Sequence, residues 1–391
     1  MRDMRPLSVL PLDGSPDSLD DLVGALTAAT DGSGPAVLPL AAADHRRGAS
    51  APPADEVPDE VAVVISTSGS TGRPKHVMLS AAALTASARA TEERLGGPGR
   101  WVLALPVDHV AGVQVVLRAL AAGAPPVLQD VRDGFRPAGF ARATGRLPHG
   151  ARRYTSLVPT QLGRILDEGA AAMYALAGYD AVLVGGAALA PALRERAEAA
   201  GIRVVATYGM SETCGGCVYD GLPLAGVDAR VDPAGRLSLG GPVLASGYLG
   251  DPAATAASFV GGRFVTGDLG RWDGERLVVL GRADDVIVTG GEKVAPAAVE
   301  RVLAAQAGVA AVCVVGLPDP EWGQVVAAAI VPSGAGPDLE AVRAAVRATE
   351  GRAAVPRRMQ LVAELPLRGV GKPDRTAVAA LLDRVGDPPT R

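Results

Sequence analysis

Residues 66–75 read Ser-Thr-Ser-Gly-Ser-Thr-Gly-Arg-Pro-Lys. Small residues let successive backbone N–H groups approach phosphate oxygens closely, hydroxyls add donors, and a lysine adds charge. The run is therefore read as a phosphate cradle built from Ser66, Thr67, Ser68, Gly69, Ser70, Thr71, Gly72 and Lys75. It is not a Walker loop, because Pro74 precedes Lys75 and His76 follows it. Lysine is scarce elsewhere: only Lys75, Lys293 and Lys372 occur, and the other 35 of the 38 basic residues are arginine. A compact ammonium differs chemically from a guanidinium, so surviving lysines are places to look for chemistry. Lys75 and Lys372 both sit in Gly-rich motifs.

Further along the chain stand Tyr208-Gly209-Met210-Ser211-Glu212-Thr213, Thr266-Gly267-Asp268, Gly281-Arg282-Ala283-Asp284-Asp285 and Gly369-Val370-Gly371-Lys372. A carboxylate holds a hard cation, an aromatic face stacks on a base, and an acceptor-only carboxylate suits a vicinal diol. Each piece alone is weak, but their order and spacing together are specific. Cys214-Gly-Gly-Cys217 has CxxC spacing, but no second pair or His ligand lies close in sequence. Two thiols beside an active-site turn are the plainer reading than a zinc or redox site.

The elements that must position these groups alternate. An apolar β-branched strand at 62–67 leads into the loop, and a helix over 80–94 follows with Ser80 as N-cap. Strands at 101–105, 155–158, 181–184 and 202–208 alternate with helices at 113–121, 159–168 and 191–200, and 126–128 reads as extended. A helix is also expected at 18–30 within the Ala-, Pro- and Asp-rich residues 1–60. This predicts an α/β domain with a largely parallel sheet. Short β runs at 236–239, 263–266 and 277–280 predict a small β-rich subdomain. A final α+β unit carries helices at 296–305, 338–349 and 375–385 and strands at 311–315 and 325–331. The expected division is a large domain over 1–283 and a small mobile one over 284–391.

The loop and its companions resemble, in the same order, the motifs of the adenylate-forming superfamily: acyl-CoA synthetases, peptide-synthetase adenylation domains and luciferases. The resemblance runs from about residue 60 to 376. It implies activation of a carboxylic acid with ATP and Mg²⁺, with CoA as acyl acceptor. It further implies that Tyr208 packs on adenine, Gly186 lines the nucleotide site, Ser211 contacts the α-phosphate and Glu212 binds the metal. By the same resemblance Asp268 grips the ribose hydroxyls with Arg282 nearby, and Lys372 bridges the carboxylate and the α-phosphate. Asp284 would be the hinge, and the loop at Gly290-Gly291 would line the CoA tunnel.

Ala104–Gly112, Tyr154–Leu162 and Tyr208–Gly221 resemble the branch of that family acting on an aromatic keto-dicarboxylic acid. His109 is then the best acyl-pocket candidate, and Ser156, Thr160 and Gln161 could hydrogen-bond the ring carboxylate or the ketone. The chain is shorter than most members of the superfamily and resembles forms that lack much of the N-terminal subdomain. Two departures stand out: His76 replaces a common glycine after the loop lysine, and Pro373 follows Lys372 directly.

The bulk numbers fit. The 391 residues carry a formal charge of −4 and are 48% hydrophobic, enough for large cores and without the basic excess that nucleic acid would ask for. No run approaches the roughly 20 apolar residues of a spanning helix, and Met1–Arg5 leads into no apolar signal segment. A cytoplasmic protein with small-molecule substrates is expected, with a homodimer as the default assembly.

Overall fold

The computed structural model describes residues 3–48, 51–68, 74–368 and 372–384, with backbone only for Ser68, Arg368, Lys372 and Arg384. The 66–75 loop therefore falls partly outside, at residues 69–73, as do Gly369, Val370 and Gly371.

Three sheets build the large N-terminal part. In the first, Met4–Leu12, Ala36–Ala41 and Val61–Ser68 run parallel, and Val61–Ser68 then turns back as an antiparallel hairpin into Pro74–Ser80. In the second, Val127–Leu128, Arg100–Leu103, Arg153–Leu157, Ala181–Val184 and Val204–Met210 are parallel neighbours, extended by the antiparallel Gly215–Tyr219 and Leu222–Pro223. These strands are Val-, Leu- and Ala-rich because helices cover both faces and leave no solvent side. One core joins the two sheets: Ile65, Val77 and Leu79 from the first meet Trp101, Leu103 and Tyr154 from the second through Leu84, Val113 and Val116. The helices Ala81–Leu95 and Val110–Ala121 thus lie between the sheets. Ser80 caps the former, accepting from the Ala83 N–H at 3.1 Å, and Gly96 ends it in the left-handed region at φ 87°.

The third sheet is antiparallel, with Asp228–Val231, Arg236–Gly240, Arg263–Asp273 and Arg276–Arg282 as its main path. A short 3-10 turn, Ala283–Asp285, leads out of it. Beyond, Val309–Asp319 and Gly323–Pro332 form a long hairpin, with Arg358–Leu361 added parallel, between the helices Pro296–Ala304 and Leu339–Glu350 on one face and Arg375–Arg384 on the other. That unit has its own core, around Val299, Leu303, Val314, Ile330 and Val346.

Most of the expected elements appear within a few residues of their expected ends. Several were not anticipated, among them two strands and two helices of the large part. The strands Met4–Leu12 and Ala36–Ala41 each contain proline, which breaks the pattern but is tolerated here at strand positions. The helices Pro137–Thr144 and Ala170–Ala177 are two turns long, too short for a clear period. The last hairpin is also longer than the apolar runs alone suggested, because its register continues through Pro318 and Asp319.

Candidate active site

The hairpin Val61–Ser68/Pro74–Ser80 carries the Gly-rich loop at its tip. Its register pairs Ser66 with His76, Thr67 with Lys75 and Ser68 with Pro74. Neighbouring strand residues point to opposite faces, so Lys75 and His76 cannot share one. His76 is buried, and its carbonyl accepts from the Leu249 N–H at 2.8 Å. The bulk that replaces glycine after the loop lysine therefore points away from the face that Lys75 presents.

Lys75 places its ammonium 4.6 Å from the centroid of the Tyr248 ring. The hydroxyl of Tyr248 donates to Glu212 Oε1 at 2.9 Å. Glu212 follows Ser211 in a 3-10 turn, Ser211–Thr213, that closes the parallel strand Val204–Met210. This is the carboxyl end of the strand, where open α/β sheets bind ligands. Thr213 pins the turn: its Oγ1 accepts from the Met210 N–H at 3.0 Å and donates to the Gly215 carbonyl at 2.8 Å. Cys214 sits just beyond at φ 52°, an uncommon conformation for a non-glycine residue.

Four residues before Glu212, Tyr208 donates to Asp268 Oδ2 at 2.6 Å. The other oxygen of Asp268 lies 3.8 Å from Arg282 Nη1. Asp268 and Arg282 face each other in strand register, and a Cβ at Gly267 would come within 2.5 Å of Arg282 Nη2, so any larger residue there would shift the guanidinium away from its present place. Arg282 also pairs with Asp284 at 3.1 Å. Burial, and then the charge of Asp268, push the Tyr208 hydroxyl well above its ordinary range, so it remains a donor. Tyr208, Asp268 and Arg282 thus form one polar group, and Glu212, Tyr248 and Lys75 a second, each with a member in or just after the strand Val204–Met210.

The remaining candidates divide. His109 caps the helix Val110–Ala121, and its Nδ1 lies 3.0 Å from Asp108 Oδ1, which leaves Nε2 as the ring's other polar atom. Ser156 is buried in the strand Arg153–Leu157, and Gly186 lies just past the next strand at φ 81°. Gln161 is already engaged: its Oε1 accepts from the Val158 N–H at 3.0 Å, and its Nε2 donates to the Ala104 carbonyl at 2.9 Å. Both ends of that amide hold backbone together, a positioning task that competes with the substrate contact expected of it. Thr160 is exposed on the first turn of the same helix. Gly290 turns the hairpin between Ile287–Thr289 and Glu292–Val294, where a Cβ would meet the Trp322 ring at 2.7 Å. Its need for glycine is thus explained within the chain, whereas Gly291 faces open space.

Lys372 opens a two-residue strand paired with Leu367–Arg368. Three residues on, Arg375 grips Glu300 with two prongs, at 2.7 and 3.0 Å, and pairs with Asp285 at 3.0 Å.

Cys214, Cys217 and Cys313 are free and buried. Burial raises all three thiols, Cys217 and Cys313 to about 12, so none is a thiolate nucleophile. Among the described residues no group of three or more His, Cys, Asp or Glu could cage a metal. A lone carboxylate, Glu212, suits magnesium, which usually takes one or two carboxylates plus substrate phosphates.

Two side chains escaped the sequence reading. Gln114 is fully buried with neither amide atom bonded, and Arg118, 3% exposed, leaves Nε unpaired and rests over Trp101 at 5.6 Å. They lie four residues apart on an otherwise apolar helix, which was the available signal. Tyr248 also escaped, since one tyrosine between glycines carries no pattern.

A nucleotide-type cluster at the carboxyl end of a parallel sheet, followed by a small α+β unit, defines an adenylate-forming class of enzyme. The chain belongs to the AMP-binding enzyme family: that family's model matches residues 12–249, and the model of the AMP-binding enzyme C-terminal domain matches 298–372. It is 47% identical, over 91% of its length and 94% of the relative's, to a probable 2-succinylbenzoate–CoA ligase of Mycobacterium tuberculosis. It is 33% identical to the 2-succinylbenzoate–CoA ligase of Enterococcus faecalis, over 70% of this chain and 60% of the relative. Among solved structures it resembles O-succinylbenzoate coenzyme A synthetase (MenE) from Bacillus subtilis in complex with AMP, with a TM-score of 0.70 and 26% identity over 87% of this chain and 74% of the other. The amide bond synthetase McbA from Marinactinospora thermotolerans matches with a TM-score of 0.75 and 30% identity over 89% and 76%. Among the described residues no helix is long and apolar enough to cross a membrane.

Proposed function

We propose that the chain is a 2-succinylbenzoate–CoA ligase of menaquinone biosynthesis, working in the cytoplasm on small-molecule substrates. The observation that carries this reading is the 47% identity over nearly the whole of a relative with that probable activity. The site geometry supports the chemistry, because it groups the nucleotide-type residues around one strand end.

In the first step a carboxylate oxygen of the acid attacks the α-phosphorus of ATP, the bond to the β-phosphate oxygen breaks, and pyrophosphate leaves. Positioning and charge neutralisation dominate such transfers. Tyr208 packs on adenine beside Gly186, Asp268 binds the ribose with Arg282 nearby, and Ser211 meets the α-phosphate. Lys75 and the loop hold the leaving pyrophosphate. Glu212 holds Mg²⁺, which supplies charge neutralisation when bound. Lys372 brings its ammonium to the two reacting anions. In the second step the CoA sulfur attacks the acyl carbonyl and AMP leaves, with the thiol proton passing to solvent or phosphate. The division at 283/284 lets the small domain turn about Asp284, withdrawing Lys372 and bringing Gly290-Gly291 to the CoA arm. His109 and Ser156 line the acyl pocket, with Thr160 at its rim. The assembly is a homodimer.

A second reading is another CoA ligase of the same family. It is favoured by 33% identity to the medium/long-chain-fatty-acid–CoA ligase FadD8 of M. tuberculosis, over 84% of this chain and 62% of that protein. Incubation with ATP, Mg²⁺, CoA and a panel of carboxylic acids, read by mass spectrometry, separates them. The 2-succinylbenzoyl thioester should dominate; its absence beside a fatty-acyl thioester would overturn the first reading. No thioester with free CoA, but loading of a carrier protein, would instead mark a stand-alone adenylation enzyme.

A further inference from the structure

Tyr248 lies in none of the motifs that drew attention to the site, yet it touches two of them. It is 4% exposed. Its backbone is fixed by pairing with Val77 of the loop hairpin and by a 2.9 Å hydrogen bond from its N–H to Thr255 Oγ1. Its ring edge packs against Phe259, with centroids 5.8 Å apart. So held, it presents two different chemistries: the hydroxyl donates to Glu212 Oε1, and the face carries the Lys75 ammonium.

Glu212 and Lys75 have opposite charges and share this neighbour, yet no ion pair joins them among the described residues. A directly paired lysine and glutamate would each neutralise the charge that the other needs for a nucleotide and its cation. The ring instead offers the ammonium a weaker, readily surrendered attraction. The hydroxyl occupies one oxygen of Glu212 and fixes the orientation of the other.

We propose that Tyr248 is a positioning residue of the nucleotide site. Its hydroxyl orients Glu212 for the divalent cation, and its ring face keeps Lys75 apart from that carboxylate until a triphosphate arrives. The proposal rests on the adenylation reading given above, with Glu212 toward Mg²⁺ and Lys75 toward the phosphates.

The test is calorimetric ATP binding to the full chain, with Mg²⁺ and again in EDTA. Tyr248→Phe keeps the ring and removes the hydroxyl. It should weaken Mg·ATP binding by about tenfold, the scale of a hydrogen bond to a charged group, while ATP binding in EDTA stays at the wild-type level. Tyr248→Leu removes the ring as well, letting Lys75 pair with Glu212, and should weaken binding under both conditions. In a double-mutant cycle, Tyr248→Phe added to Glu212→Gln should cost nothing further, because the hydroxyl acts through Glu212. Fully additive losses, an unchanged magnesium dependence in Tyr248→Phe, or equal losses with and without Mg²⁺ would overturn the proposal alone. Wild-type protein that binds no Mg·ATP would overturn the adenylation reading and this proposal with it.

Discussion

Tyr208 and Asp268, sixty residues apart in sequence, meet in a 2.6 Å hydrogen bond that ties the parallel sheet to the antiparallel β-rich subdomain. The donor comes from the strand Val204–Met210 itself, near its carboxyl end, and the acceptor comes from the middle of Arg263–Asp273. The bond adds a directional tie to the apolar contact of Cys217 and Val218 with Leu237, Leu239 and Leu277 across the same junction.

That bond makes stability depend on high pH. Burial and the Asp268 carboxylate raise Tyr208 from its ordinary value of 10.0. A folded-state value above the unfolded one means that the native protein binds the proton more tightly. The stabilisation is complete below pH 10 and declines as the pH rises beyond it. Tm followed from pH 8 to 11 should fall in the upper part of that range, and Tyr208→Phe should fall less steeply than wild type. Equal slopes would mean that Tyr208 does not titrate as its surroundings dictate.

The CxxC spacing leads to a negative chemical result. With all three thiols buried and raised, a thiol reagent at pH 8 should label none of Cys214, Cys217 and Cys313 in the native protein, and all three in denaturant. Fast native labelling of Cys217, or a zinc content near one per chain, would reverse the assignment of these thiols as packing residues.

Gln114 has two unpaired polar atoms in a fully buried position. Each unsatisfied group costs about 1–3 kcal/mol. Gln114→Leu, of similar length and apolar, should therefore raise Tm by several degrees. A drop in Tm would mean that a buried water or ligand satisfies the amide.

The two half-reactions should separate by mutation. Lys372→Ala is expected to lower adenylate formation, measured by ATP–pyrophosphate exchange, by at least about 100-fold, on the scale of removing one preorganised charge-stabilising group. Thioester formation from supplied acyl-adenylate should be nearly unchanged. Asp284→Pro should do the reverse, since fixing φ in the Ala283–Asp285 turn hinders a hinge more than a static pocket. Parallel losses in both steps would remove the division of labour.

Much of this was legible in the sequence, for particular reasons. The run at 66–75 was readable because its small residues and its lysine are locally diagnostic, and Val204–Met210 because an apolar run leads straight into Tyr208. What stayed hidden depended on distance in space. Nothing near Tyr248 announces that it will meet Glu212 and Lys75, and nothing near Gln161 shows that its amide will be spent on Val158 and Ala104. The environment of His76 depended on strand alternation around a hairpin whose return strand, Pro74–Ser80, has no strand signal of its own between the loop ending at Lys75 and the helix cap at Ser80.

The grip of Arg375 on Glu300 and Asp285 sets a leash on Lys372. Only two residues, Pro373 and Asp374, separate anchor from lysine, and a three-residue step spans at most about 10 Å. The lysine is therefore cargo: its backbone travels wherever the Glu300 helix travels, and it cannot linger behind a displacement longer than its tether. On the proposed rotation of the small domain, the reach of one short chain segment sets how far that domain can turn before the cation is drawn away.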